Sequence, residues 1–132
     1  MKIAIHQPEF MPWPGFFQKM YLADKYIFLD HVQFKKRYFE NRNQIVSPQG
    51  DVSYITVPVV TKNKYLQSIN TVKVDNQQLL WKQKLLNKIK HYYSKSDYFN
   101  TYFLELVTII ESFNSNELMQ LNINIINFFV DI

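Results

Sequence analysis

A histidine and an aspartate, each closing a short apolar run, are the residues of this chain whose type and position point to chemistry. His6 follows Lys2-Ile3-Ala4-Ile5, and Asp30 follows Tyr26-Ile27-Phe28-Leu29, with His31 next to it. An imidazole takes and returns a proton near neutral pH, and a carboxylate beside it orients the ring and stabilises its charged form. His6 and Asp30 are therefore candidate catalytic residues, His6 as the general base. Two histidines and an aspartate could also hold a metal; their spacing gives that no independent support, and no metal is assigned. A plainer reading stays open, in which His6 and Asp30 cap backbone groups and His31 faces solvent.

A second polar knot lies downstream, at Gln33, Lys35, Lys36, Arg37 and then Asn41-Arg42-Asn43. Arginine between two asparagines presents a planar fork with amide groups alongside, which suits a carboxylate or a phosphate. Lys35, Asn41, Arg42 and Asn43, with Gln33, His31 and Trp13, are candidate substrate-binding residues. Against this, asparagine side chains also tie loops to their own backbone. The later asparagines, Asn114, Asn116, Asn122, Asn124 and Asn127, read as compositional drift. No Gly-x-Gly-x-x-Gly, phosphate loop or nucleophile elbow is present, and the chain has only two glycines, so those routes to nucleotide or ester chemistry have no sequence support.

These residues need elements to hold them. Lys2–Ile5 reads as a buried first strand, Phe16–Asp24 as a short helix, and Tyr26–Asp30 as a second strand buried on both faces of a parallel sheet. The connector His6–Phe17 contains Pro8, Pro12 and Pro14, three of the five prolines. It exceeds the roughly two to six residues that a strand-to-helix link needs, and each proline narrows its own backbone and that of the residue before it. Such a segment has one shape, which suits a wall that holds a side chain still. Adjacent parallel strands would bring His6, Asp30 and His31 to one crevice outside their carboxyl ends.

Asn43–Ser47 and Val52–Val59 flank Pro48-Gln49-Gly50-Asp51 and predict a hairpin, and Ile69–Val74 alternates like a half-buried strand. Asp75 with Gln78 resembles a capping box opening a helix to about Tyr93, with Leu79, Leu85, Leu86, Ile89 and Tyr93 inward. Asp97 and the pair Asn114/Glu117 open two more helices. The expected class is α/β: an N-terminal βαβ unit with a small mixed sheet and hairpin, then three helices. Apolar residues persist to Ile132, which predicts the N-terminal portion of a larger α/β fold.

Composition sets the outer bounds. The 132 residues suit one domain, and 47% hydrophobic with 17% aromatic residues supply a core. Without cysteine there is no disulfide, thiolate metal site or cysteine nucleophile. No signal peptide is visible and no run nears the ~18 apolar residues of a membrane span, so a cytoplasmic location is expected. The net charge of +4 suits an anionic small molecule. The run Lys35-Lys36-Arg37 is too short to indicate nucleic-acid binding.

Taken in order, His6-Gln7-Pro8, Pro12-Trp13, Gly15-Phe16-Phe17, Leu29-Asp30-His31-Val32-Gln33-Phe34, Asn41-Arg42-Asn43 and Thr56-Val57-Pro58 resemble the WbqC-like protein family. The likeness is specific over the first 60 residues or so and general beyond Thr61. His31 replaces the family's usual second Asp, which weakens a paired-carboxylate role, and Phe10 replaces a common Tyr. Family members also run on past this length, so the resemblance implies a single domain, 1–132, lacking its C-terminal half. It further implies a bacterial transferase that attaches an acyl or aminoacyl (glycine-type) group to a nucleotide-linked amino sugar in O-antigen or other surface polysaccharide synthesis. No cofactor follows from the resemblance, and the implied partner is a nucleotide-sugar. The alternatives are a non-catalytic nucleotide-sugar binding module and an inactive truncated remnant.

Overall fold

The computed structural model describes all 132 residues, Met1–Ile132. Strand β1 (Ile3–His6) pairs in parallel with β2 (Lys25–Phe28), with Ile3 opposite Lys25 and His6 opposite Phe28. Between them lie the proline-rich loop and helix α1 (Pro14–Tyr21). Proline opens α1 because its fixed φ fits the first turn, where its missing N–H has no partner to lose. Strand, helix, strand is thus the βαβ unit the pattern implied.

The second strand is not buried on both faces as expected. Side chains alternate: Ala4, His6 and Tyr26 are partly covered, and the Phe16 ring on α1 meets both His6 (5.3 Å) and Tyr26 (5.5 Å). On the other face Ile3, Ile5 and Ile27 are 50%, 54% and 46% exposed. Two strands with a helix on one side leave the opposite face to water, so the continuous apolar run of residues 26–29 did not mean two-sided burial.

A hairpin follows, β3 (Arg42–Val46) antiparallel to β4 (Val52–Thr56). The Ser47 hydroxyl accepts from the amides of Gln49 and Asp51, and Gly50 takes the positive φ of 90° that the turn requires. The parallel pair and the hairpin are separate two-stranded sheets within the α/β fold, not one mixed sheet. The strand expected over Ile69–Val74 is a 3-10 turn, Ile69–Thr71, followed by the isolated bridges Val59–Val74 and Lys73–Glu117. Local bonds compete with a ladder here, since the Thr71 hydroxyl donates to the Ser68 carbonyl and the Ser68 hydroxyl to Asn70 Oδ1.

Helices α2 (Trp81–Tyr93), α3 (Phe99–Ser112) and α4 (Leu118–Asp131) complete the chain. The capping pair forms, with Gln78 Nε2 donating to Asp75 Oδ2 at 2.9 Å, but it fixes a turn and α2 begins only at Trp81. Leu79, expected inward, therefore lies before the helix and is 86% exposed. Leu85, Leu86 and Ile89 of α2, Leu106 and Ile110 of α3, and Leu118, Leu121 and Ile125 of α4 form one core with Ile45, Ile55, Val57 and Phe10. Lys82 closes α3 by donating to the carbonyls of Glu111 and Phe113, a cation at the negative end of a helix. No helix is long and apolar enough to cross a membrane.

Phe10, fully buried, anchors the proline-rich loop in this core. Three asparagines fasten the rest. Asn43 Nδ2 donates to the carbonyls of Phe10 (3.2 Å) and Met11 (2.9 Å), and Asn41 Nδ2 to that of Val57 (2.9 Å). Asn122 on α4 donates to the carbonyls of Pro8 (3.2 Å) and Glu40 (2.8 Å). Asn122 is fully buried, so it is a structural cross-link and not compositional drift. Removing its amide leaves two buried carbonyls unpaired, and Asn122→Ala is expected to cost about 2–4 kcal/mol in urea denaturation. A loss below about 0.5 kcal/mol, the scatter of ordinary surface substitutions, would show that the cross-link is unimportant.

Candidate functional site

His6 ends β1 with its side chain 29% exposed and its ring edge-on to Phe16. Its Nδ1 lies 3.1 Å from the Gln7 carbonyl oxygen and 3.8 Å from Glu9 Oε1. A carbonyl only accepts, so Nδ1 carries the proton in that bond, and in the neutral ring the lone pair is on Nε2. That is the arrangement a general base needs: one nitrogen held, the other free to take a proton.

Glu9 was not singled out from sequence, nor were Glu40 and Tyr26. Glu9 and Glu40 are 7% and 1% exposed. Glu9 Oε2, both Glu40 carboxyl oxygens and the Tyr26 hydroxyl are buried without a hydrogen bond to any other residue. Burial pushes the Glu9 carboxyl above the ordinary range, opposed by the charges of His6 and Lys19. Burial likewise raises Glu40; its own backbone N–H and Lys35 oppose this, while the neighbouring Glu9 charge adds to it. Tyr26 is also pushed up, by burial first and then by Glu9. Beside the half-open imidazole there is thus an interior acidic cluster in which the charged forms are disfavoured. The signal that could have found it is two glutamates in otherwise apolar surroundings, Pro8-Glu9-Phe10 and Phe39-Glu40.

The two strands, β1 and β2, are adjacent, as expected, but β2 stops at Phe28, two residues before Asp30, and no hydrogen bond or ion pair joins the His6 and Asp30 side chains. His6 finds its carboxylate in Glu9. Asp30, 32% exposed, pairs with His31 Nδ1 at 3.9 Å, and His31 itself is 74% exposed. Gln33 bridges to Ser68 in the backbone and donates to the Tyr65 carbonyl at 3.3 Å. Lys35 lies over the Tyr38 ring, and the Arg42 guanidinium stacks on Tyr54 at 4.1 Å. Asn41 and Asn43 use their amide nitrogens on loop carbonyls. Trp13 is 64% exposed and lies across Gly15, where a Cβ would collide with the indole. Among all residues, no group of three or more His, Asp or Glu is placed to hold a metal ion.

A parallel βαβ start with a histidine at the first strand's carboxyl end, a hairpin and three helices defines an α/β protein. The model of the WbqC-like protein family matches residues 7–132, and the chain belongs to that family. It is 34% identical over 98 residues to the uncharacterized protein Rv1507c of Mycobacterium tuberculosis, a match covering 74% of this chain and 41% of that one. The chain thus spans less than half the length of that relative. No solved structure matches.

The acidic cluster gives a pH prediction. A carboxyl raised by folding is neutral in both states well below its ordinary value of 4.5. Above that value the native state holds more protons than the unfolded chain, so stability falls as pH rises through the raised values. The double variant Glu9→Gln/Glu40→Gln lacks this penalty. Its Tm relative to the wild type is expected to be near zero at pH 4 and to grow in the variant's favour by pH 8; a constant difference would contradict the assignment.

Proposed function

We propose that this protein transfers an acyl or aminoacyl group to the amine of a nucleotide-linked amino sugar in bacterial surface polysaccharide synthesis. The observation carrying the reading is His6, held through Nδ1 by the Gln7 carbonyl, flanked by Glu9 and left with a free Nε2 on a part-exposed ring. The WbqC-like family match gives the substrate class its support. In the reaction the sugar amine attacks the carbonyl carbon of an activated acyl ester or thioester. The new C–N bond forms, the bond to the carrier breaks, and His6 takes the proton from nitrogen and returns it to the leaving group. Glu9 Oε1, 3.8 Å from Nδ1, faces the imidazolium that exists between these transfers. Trp13, His31, Gln33, Lys35, Asn41, Arg42 and Asn43 remain the candidate contacts to substrate, and Asp30, two residues beyond the adjacent strand, the second candidate catalytic residue. Arg42 is preorganised for this by its stacking on Tyr54.

A second reading, a binding module without catalysis, is favoured by one observation. Cavities of about 650, 430 and 900 Å³ are lined by residues of the hairpin, the 34–41 loop, the 57–80 connector and α2, with Asn116, and not by His6.

Incubating the protein with UDP- or dTDP-amino sugars and an activated amino acid, with mass spectrometry of the sugar, separates the two. The transferase reading expects an amide product whose rate falls by roughly 10²–10⁴-fold in His6→Ala, the usual worth of a general base. No product over a broad panel of acceptors and donors, or an unchanged rate in a folded His6→Ala, would contradict it.

A further inference from the structure

Away from His6, two cavities meet at Thr56, Pro58 and Gln78. The larger, about 650 Å³, lies between β4 and the start of α2 and includes Leu79, Leu80, Lys84 and Lys88. The smaller, about 430 Å³, includes Lys36, Arg37, Asn41 and Thr61. Each falls within the ~300–1,000 Å³ typical of small-molecule sites. Neither is lined by any carboxylate, although the chain has 11. None of the four cations forms an ion pair, the only such lysine pair in the protein being Lys73 with Glu117.

The two ends differ in chemistry. Lys84 and Lys88 stand one turn apart on α2, and Lys88 Nζ donates to the Tyr54 carbonyl at 2.6 Å, so the larger cavity has one fixed and one free ammonium. Its apolar lining includes Pro58, Leu79 and Leu80, and Leu79 is 86% exposed. An isolated solvent-facing leucine is ordinary; two in sequence beside a concave wall offer a flat surface for a ring. The smaller cavity concentrates Arg37 and Lys36, a forked guanidinium and a point charge, which is the pairing that grips adjacent phosphate groups. Gln78, between the two, is held by Asp75 and presents a fixed amide to whatever spans them.

We infer that this trough binds a nucleoside diphosphate, with the base and ribose against Pro58, Leu79 and Leu80 and the diphosphate at Lys36 and Arg37. The site stands on its own geometry. It does not rest on the acyl-transfer reading, and the binding remains if that reading fails.

The test is calorimetric titration of the full chain with UDP, ADP and inorganic pyrophosphate, at low and at high salt. Saturable nucleotide binding is expected, with pyrophosphate weaker than UDP. The exposed double variant Lys36→Gln/Arg37→Gln is expected to weaken UDP and pyrophosphate alike by about tenfold or more, the loss of two charge-assisted contacts. Leu79→Asp should weaken UDP and leave its melting temperature unchanged. Lys90→Glu, a charge on another face of α2, should leave binding within about twofold, since an exposed distant charge is screened. His6→Ala should bind as the wild type does, which keeps this result separate from the activity assay. Absence of saturable binding would overturn the proposal, as would equal weakening by Lys90→Glu or unchanged binding in the double variant.

Discussion

Asn122 sits fully buried in the middle of α4, and its one amide group donates to carbonyls more than eighty residues away along the chain, those of Pro8 and Glu40. The proline-rich loop has no ladder partner of its own, because proline removes donors and the irregular backbone matches no neighbouring strand. Its carbonyls are satisfied from outside, by Asn122 at Pro8 and by Asn43 at Phe10 and Met11. Met11 is held at a φ of 45°, a left-handed conformation that costs a non-glycine residue about 1–2 kcal/mol. The surrounding hydrogen bonds and the buried Phe10 over-determine it. Loop shape, and with it the setting of His6, follows from contacts supplied by α4 and β3.

The same cross-link brings Glu40 beside Glu9, and here the fold works against its own stability. The Glu40 carboxyl and Tyr26 phenol, buried without a partner residue, and the unpaired Oε2 of Glu9 are expensive, and each group has its ionisation disfavoured. Structures that carry such a departure from good packing tend to do so near a functional group, and the neighbour here is the imidazole of His6. The apolar core made by Leu118, Leu121 and Ile125 against Ile110 and Val57 supplies the stability that offsets it.

Much of this was legible along the chain because it is local. The βαβ start, the hairpin around Gly50, the three C-terminal helices and the break near Ser94–Asp97 follow from periodicity and turn residues. What failed were statements about environment. Burial of β2 depends on what covers the second face, and the onset of α2 depends on whether Asp75 caps a helix or a turn. The partnership of His6 with Glu9 depends on loop curvature between them, which brings residues three apart together outside any helix. Asn122 was invisible for a further reason: an asparagine is informative only once its partners are known, and these lie at positions 8 and 40.

The proposed role of His6 as a general base requires its proton on Nδ1 and an open Nε2. Long-range proton–nitrogen correlation spectra of the histidine rings, assigned with a His6→Gln variant, read this directly. At a pH where the ring is neutral, the account predicts that Nδ1 of His6 gives the pyrrole-type nitrogen signal and Nε2 the pyridine-type signal. The reverse assignment would mean that the Gln7 carbonyl does not hold the ring, and the proposed base would be absent.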